Sequence, residues 1–131
     1  MNVLVVDSNV EIVNRIKELL LEQDDIKEVY GLACYKEAKE CFDMFQPEIV
    51  VVDTSLSSAS SFRLIENVKQ TKPSTVVIAI SIYADTVSIS RIKEYGANFF
   101  LDKYLFSDHI TATLEQIKNN FIRLNPVYKN N

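Results

Sequence analysis

Ile49-Val50-Val51-Val52-Asp53 is a run of four β-branched apolar residues closed by a carboxylate, with Thr54-Ser55-Leu56 directly after it. A short, continuously apolar run bounded by polar residues reads as a strand buried on both faces, as in a parallel sheet. The carboxylate then stands at the strand's carboxyl end, the edge where open parallel sheets bind ligands. Val3-Leu4-Val5-Val6-Asp7 repeats the pattern at the start of the chain. Two further runs, Val76 to Ile80 and Phe99 to Leu101, are followed by Ser81 and Lys103. A weaker apolar run lies near Val29 to Ala33.

Helical periodicity fills the intervals between these runs. Val13, Ile16 and Leu20 mark one face of a first helix, and Ala38, Cys41, Phe42 and Phe45 mark a second. Phe62, Ile65 and Val68 fit a third, and Ile89 with Ile92 a weaker fourth. Ile110, Leu114, Ile117, Phe121 and Leu124 step by four, three, four and three, the clearest stripe of all. Pro47 and Pro73 stop helices ahead of strands, and Gly96 suits a left-handed helix end. Ser8-Asn9-Val10-Glu11 fits a capping box with Ser8 as the N-cap of the first helix, and Ser107 is the expected N-cap of the fifth. The serine-rich stretch 57–61 reads as a loop. Strands alternating with helices predict an α/β fold, a doubly wound parallel sheet with helices on both faces.

Composition narrows the function. The chain has 131 residues, 47% hydrophobic and 24% charged, enough for one domain with a real core. Its net charge of −4 argues against direct nucleic-acid binding by this domain. No apolar stretch approaches the roughly 18 residues of a membrane span, and Met1-Asn2 leads straight into a strand with no basic leader. Cys34 and Cys41 are too few for a disulfide scaffold and suggest reduced thiols in the cytoplasm. Only Gly31 and Gly96 are glycines, so neither a dinucleotide fingerprint nor a phosphate loop can be built. His109, the single histidine, has no partner for a zinc site and reads as solvated.

Asp7, Asp53, Ser81 and Lys103 therefore fall on one edge of one sheet. Two clustered carboxylates need a counter-charge, which a divalent cation such as Mg²⁺ and a lysine can supply. Carboxylate, metal, amine and hydroxyl together form a site for phosphoryl transfer onto an aspartate.

This pattern resembles the receiver domain of two-component response regulators across about residues 2 to 123. The matching residues are Val5-Val6-Asp7, Val51-Val52-Asp53, Ile80-Ser81 and Gly96-Ala97-Asn98-Phe99-Phe100-Leu101-Asp102-Lys103. The resemblance implies a flavodoxin-like five-stranded sheet of order 2-1-3-4-5 with five helices, over residues 1–124, with 125–131 as a tail or linker. It implies Asp53 as phosphoacceptor, Mg²⁺ held by Asp7, Asp53 and the backbone carbonyl of Ser55, and phosphoryl oxygens held by Lys103 and Ser81. Phe100 occupies the aromatic switch position coupled to Ser81. A histidine kinase or phosphotransfer protein would be the phosphoryl source. Helix 4, strand 5 and helix 5 would form a partner or homodimer face; Tyr83, Tyr95, Phe99 and Tyr104 cluster around it, either as that face or as ordinary packing. An effector domain beyond residue 131 is compatible with the tail.

The chain departs from the family pattern at four positions. Ser8 stands where a second acid is usual, Tyr104 replaces the proline after the lysine, and Ser57 and Ser61 replace a proline and a glycine. These departures imply weaker metal affinity and slower phosphorylation. They also raise the alternative of a degenerate receiver, an interaction module independent of phosphorylation. An enzyme of the haloacid-dehalogenase phosphatase type is disfavoured, since its Asp-x-Asp motif is here Asp7-Ser8-Asn9. The expected role is thus a signalling switch rather than a turnover enzyme.

Overall fold

The computed structural model describes residues 1–55, 59–83 and 85–124 of the chain. Strands and helices alternate throughout: β1 (Asn2–Val6), α1 (Val10–Leu21), β2 (Glu28–Leu32), α2 (Tyr35–Phe45), β3 (Ile49–Asp53), α3 (Ala59–Thr71), β4 (Val76–Ser81), α4 (Thr86–Glu94), β5 (Phe99–Asp102) and α5 (Phe106–Leu124). A single 3₁₀ turn, Lys103–Leu105, joins β5 to α5. The five strands pair in parallel in the order β2-β1-β3-β4-β5, the flavodoxin-like arrangement expected. The winding reverses between β1 and β3, which places the switch point between Asp7 and Asp53.

Alternation within each strand divides the core into two layers. Val3, Val5, Ile49, Val51, Ile78 and Ile80 face Ile16 and Leu20 of α1 and Ile110, Leu114 and Ile117 of α5. Leu4, Val6, Val50, Val52 and Val77 face Ala38 and Phe42 of α2 and Leu64, Ile65 and Val68 of α3. Ala79 continues that second face under Phe62 and Ile92, where α4 packs. Burying each such side chain contributes roughly 1.5–3 kcal/mol, so the central strands hold the sheet edge in place.

The two glycines have separate causes. At Gly31, an added Cβ would lie 2.6 Å from Val13 Cγ1, so β2 gives up a side chain to let α1 pack closely. Gly96 has φ +116° and ends α4 in the left-handed region that favours glycine. Gln46 ends α2 at φ 44° without being glycine, just ahead of Pro47.

Several local expectations need correction. Asn9, not Ser8, caps α1: its side chain accepts from the N–H groups of Glu11 and Ile12. The Asp7 carboxylate accepts the Asn9 N–H, a tight turn that spends Ser8 inside it and delivers Asn9 to the cap. Ser107 is not a cap but lies within α5, because Asp102 starts the 3₁₀ turn by accepting the Tyr104 N–H. In the serine-rich stretch, Ala59, Ser60 and Ser61 belong to the first turn of α3 rather than to a loop, and Ser58 lies outside the described residues. Ser57 lies outside the described residues, as do the tail 125–131 and the side chains of Phe121 and Leu124. Phe45 is exposed and stacks on Tyr30 of β2 rather than entering the core.

Candidate functional site

Four strands end at the same edge, and all four ends close in the same way. Asp7 Oδ1 accepts the Asn9 N–H at 2.9 Å, and Asp53 Oδ1 accepts the Ser55 N–H at 3.0 Å. Ser81 Oγ accepts the Tyr83 N–H at 2.9 Å, and Asp102 Oδ1 accepts the Tyr104 N–H at 2.8 Å. Each short polar side chain satisfies the N–H two residues on and turns the chain away from the sheet. A strand terminator and an expected site residue are therefore the same residue at Asp7, Asp53 and Ser81.

Asp7 and Asp53 are buried, 1% and 3% exposed. Lys103 bridges them, with Nζ at 2.7 Å from Asp7 Oδ2 and 3.2 Å from Asp53 Oδ1. Burial works to lower the lysine pKa, but hydrogen bonding and attraction from Asp7 and Asp53 outweigh it and raise the value above that of an ordinary lysine. The ammonium is thus held charged between the two carboxyl groups. The three groups line a cleft of about 490 Å³ that also holds Ser8, Asn9 and Ser55 and continues over Ile12, Ile16 and Phe106.

Among the described residues, all contacts to the Asp53 side chain fall on Oδ1. Besides Lys103 and the Ser55 N–H, it accepts the Ser55 hydroxyl at 2.6 Å. Ser55 Oγ in turn accepts the Ile82 N–H at 3.1 Å. One hydroxyl therefore links the end of β3 to the turn after β4. Thr54 adds a second tie, its N–H and hydroxyl both donating to Ile80 O, at 2.8 and 3.2 Å. Tyr35 reaches across from α2, its hydroxyl donating to the backbone carbonyl of Asp53 at 2.8 Å.

The structure thus brings Asp7, Asp53, Ser55 and Lys103 together. Ser81 is buried at the end of β4, but it lines a separate small cavity of about 20 Å³ with Thr54, Phe62 and Arg91. Phe100 is half-buried on β5 and packs against the Phe62, Ala79 and Ile92 cluster. Tyr95 stacks on Phe62, and Phe99 packs against the main core, whereas Tyr83 and Tyr104 are exposed. His109 is exposed on α5. The hydroxyls of Ser55 and Tyr35 and the cap at Asn9 are additions to the expected set. Ser55 carries a visible signal, a hydroxyl two residues after a strand-end aspartate; Tyr35 carries none.

The donor set suits Mg²⁺ in part. Two carboxylates with waters and phosphate oxygens are within the usual Mg²⁺ requirement. Asp7 Oδ2 is buried and, although ion-paired with Lys103, accepts no well-directed hydrogen bond, which leaves it capacity for a cation. No group of three or more acidic, histidine or cysteine side chains gathers anywhere among the described residues. Asp7 and Asp53 are the side chains that could hold a divalent ion.

Comparison with known proteins agrees with this fold. The family model of the response regulator receiver domain matches residues 3–115. The DNA-binding transcriptional activator EvgA of Escherichia coli K12 is 24% identical over 121 residues, 92% of this chain and 59% of EvgA. The chain thus spans about three fifths of the length of the curated relatives it matches. The response regulator RcsB of Salmonella typhimurium superposes with a TM-score of 0.81 at 15% identity, covering 92% of this chain and 60% of that one. The BeF3-activated receiver domain of DrrB superposes at 0.74 with 22% identity, covering 90% and 97%. Such structural likenesses speak for the fold; the family match speaks for descent. Among the described residues no helix is long and apolar enough to cross a membrane. With the family model covering most of its length, the chain belongs to the response regulator receiver domains, signalling modules rather than turnover enzymes.

Proposed function

We propose that this domain is a phosphorylation switch in two-component signalling, with Asp53 as the phosphoacceptor. The observation that carries the reading is the buried Asp7–Lys103–Asp53 trio, in which every described contact to the Asp53 side chain falls on Oδ1. The forming bond joins an Asp53 carboxylate oxygen to phosphorus. The breaking bond is P–N of a phosphohistidine, or P–O of a small acyl phosphate, and its electron pair leaves with the donor. Lys103 holds the transferring oxygens as a point charge. Asp7, Asp53 and the Ser55 carbonyl would hold Mg²⁺, which supplies further positive charge to those oxygens.

Ser81 lines a different cavity from Asp53, and in this reading the turn after β4 moves to bring its hydroxyl to a phosphoryl oxygen. Phosphorylation adds about −1.5 to −2 charges, and a shared hydroxyl at Ser55 links that charge to the Ile82 N–H. Phe100 follows Ser81 in this reading and passes the change to the face of α4, β5 and α5. Exposed Tyr83 and Tyr104 equip that face for a partner or a second copy. A histidine kinase or phosphotransfer protein supplies the phosphoryl group, and an effector domain reads the switch.

Incubation with acetyl phosphate and Mg²⁺, followed by intact mass measurement, tests the reading. Wild type gains one phosphoryl group and Asp53→Asn gains none. No adduct on wild type, or the same adduct on the variant, overturns it.

The absence of a third acid among the described residues favours one other reading, an interaction module that does not use phosphorylation. A Mg²⁺ titration separates the two: binding at millimolar concentration or tighter belongs to the switch. Ser8 is exposed at the mouth of the cleft beside Asp7. Ser8→Asp is expected to tighten Mg²⁺ on the order of tenfold by adding a carboxylate to the set. Unchanged affinity in the variant would show that position 8 does not limit metal binding.

A further inference from the structure

The ladder between β1 and β3 ends at Val6 and Val52, one residue before the phosphoacceptor. On the other side, β3 continues: the Thr54 N–H donates to Ile80 O. The N–H and C=O of a trans peptide point in opposite directions. The Asp53 carbonyl therefore faces the β1 side, where no strand donor remains. The Tyr35 hydroxyl meets it at 2.8 Å. We infer that Tyr35 is a positioning residue for phosphoryl transfer, clamping the Asp53–Thr54 peptide from α2 so that the Asp53 carboxylate keeps its attack direction. This inference rests on Asp53 being the phosphoacceptor.

Two further observations support the assignment. The residue before α2, Cys34, makes no side-chain cap, so the helix start is tied down through the Tyr35 hydroxyl instead. The phenol is half-buried, which shields its hydrogen bond to the Asp53 carbonyl from water. With both ends of the peptide held, the Asp53 side chain leaves the backbone in one direction, towards Lys103 at 3.2 Å. Reacting groups lose rate steeply when displaced by about 1 Å.

The test is the rate of Asp53 phosphorylation as a function of acetyl phosphate concentration at fixed Mg²⁺. In Tyr35→Phe the maximum rate is expected to fall about tenfold, while the half-saturating donor concentration stays within about twofold of wild type. Tyr35→Leu should show the same kinetic loss despite a larger drop in thermal stability, because the hydroxyl and not the ring carries the effect. A phosphorylated wild type matched in rate by Tyr35→Phe overturns the positioning role alone. A wild type that takes no phosphoryl group overturns the proposed function and this inference with it.

Discussion

Lys103→Met is expected to slow phosphoryl uptake at Asp53 on the order of a hundredfold, the usual loss when one preorganised charge partner is removed from a transfer site. The geometry sets this scale. Lys103 is the cation bridging two carboxylates that are 1% and 3% exposed. Without it, two buried carboxyl groups lose their cationic partner, and the transferring oxygens lose their point charge as well. Folding suffers too. Breaking a buried ion pair costs about 3–5 kcal/mol, and the partial exposure of Lys103 reduces this to about 2 kcal/mol here. Urea unfolding at neutral pH reads that change directly, and a phosphorylation rate within threefold of wild type would contradict the role given to the lysine.

The same variant carries a pH signature. The folded-state pKa of Lys103 is raised, because the Asp7 and Asp53 carboxylates overcome the opposing effect of burial. A group with a raised pKa stabilises fully below its unfolded value, about 10.4 for lysine, and loses that contribution as pH climbs through the folded value. Wild type should therefore lose stability at the alkaline end of its range. Lys103→Met should lose less there, since the titrating group is gone.

Phe42→Ala is expected to cost about 3–5 kcal/mol, a large part of the roughly 5–15 kcal/mol that holds a domain of this size. Phe42 is among the largest fully buried side chains, 1% exposed between α2 and the sheet. α2 has only Ala38 and Phe42 fully buried and no side-chain cap at its start. Loss of the ring leaves a cavity under the helix that carries Tyr35. The urea midpoint should fall with little change in slope, and phosphorylation should slow as the clamp on Asp53 loosens. A cost below about 1 kcal/mol would mean that α2 repacks freely, against the close packing of such cores.

The sheet was legible because β1, β3 and β4 are covered on both faces and so read as unbroken apolar runs. β2 was faint for a physical reason: it is an edge strand, and Gly31 yields its side chain to Val13. Asp7, Asp53 and Lys103 were legible because a strand's carboxyl end fixes where its next residue points. The cap at α1 was misassigned because Ser8 and Asn9 are both competent, and only the turn closed by Asp7 decides between them. At α5 the 3₁₀ turn begun by Asp102 moved the helix start ahead of Ser107. Tyr35 left no trace in the sequence: it lies 18 residues from Asp53, and packing alone brings its hydroxyl there.

The repeated turn at the four strand ends selects for reach as well as charge. Each ring closes because a carboxylate or hydroxyl sits one or two bonds beyond Cβ and meets the N–H two residues along. Glutamate brings the same charge one methylene further out and cannot close that ring. At Asp7 and Asp53 a glutamate would keep the electrostatics and lose the bend, so length is the stricter filter at this edge. A negative side chain at position 53 is therefore not equivalent to a phosphorylated aspartate. An acyl phosphate on Asp53 would extend from a backbone that is already turned, whereas glutamate would have to turn it anew.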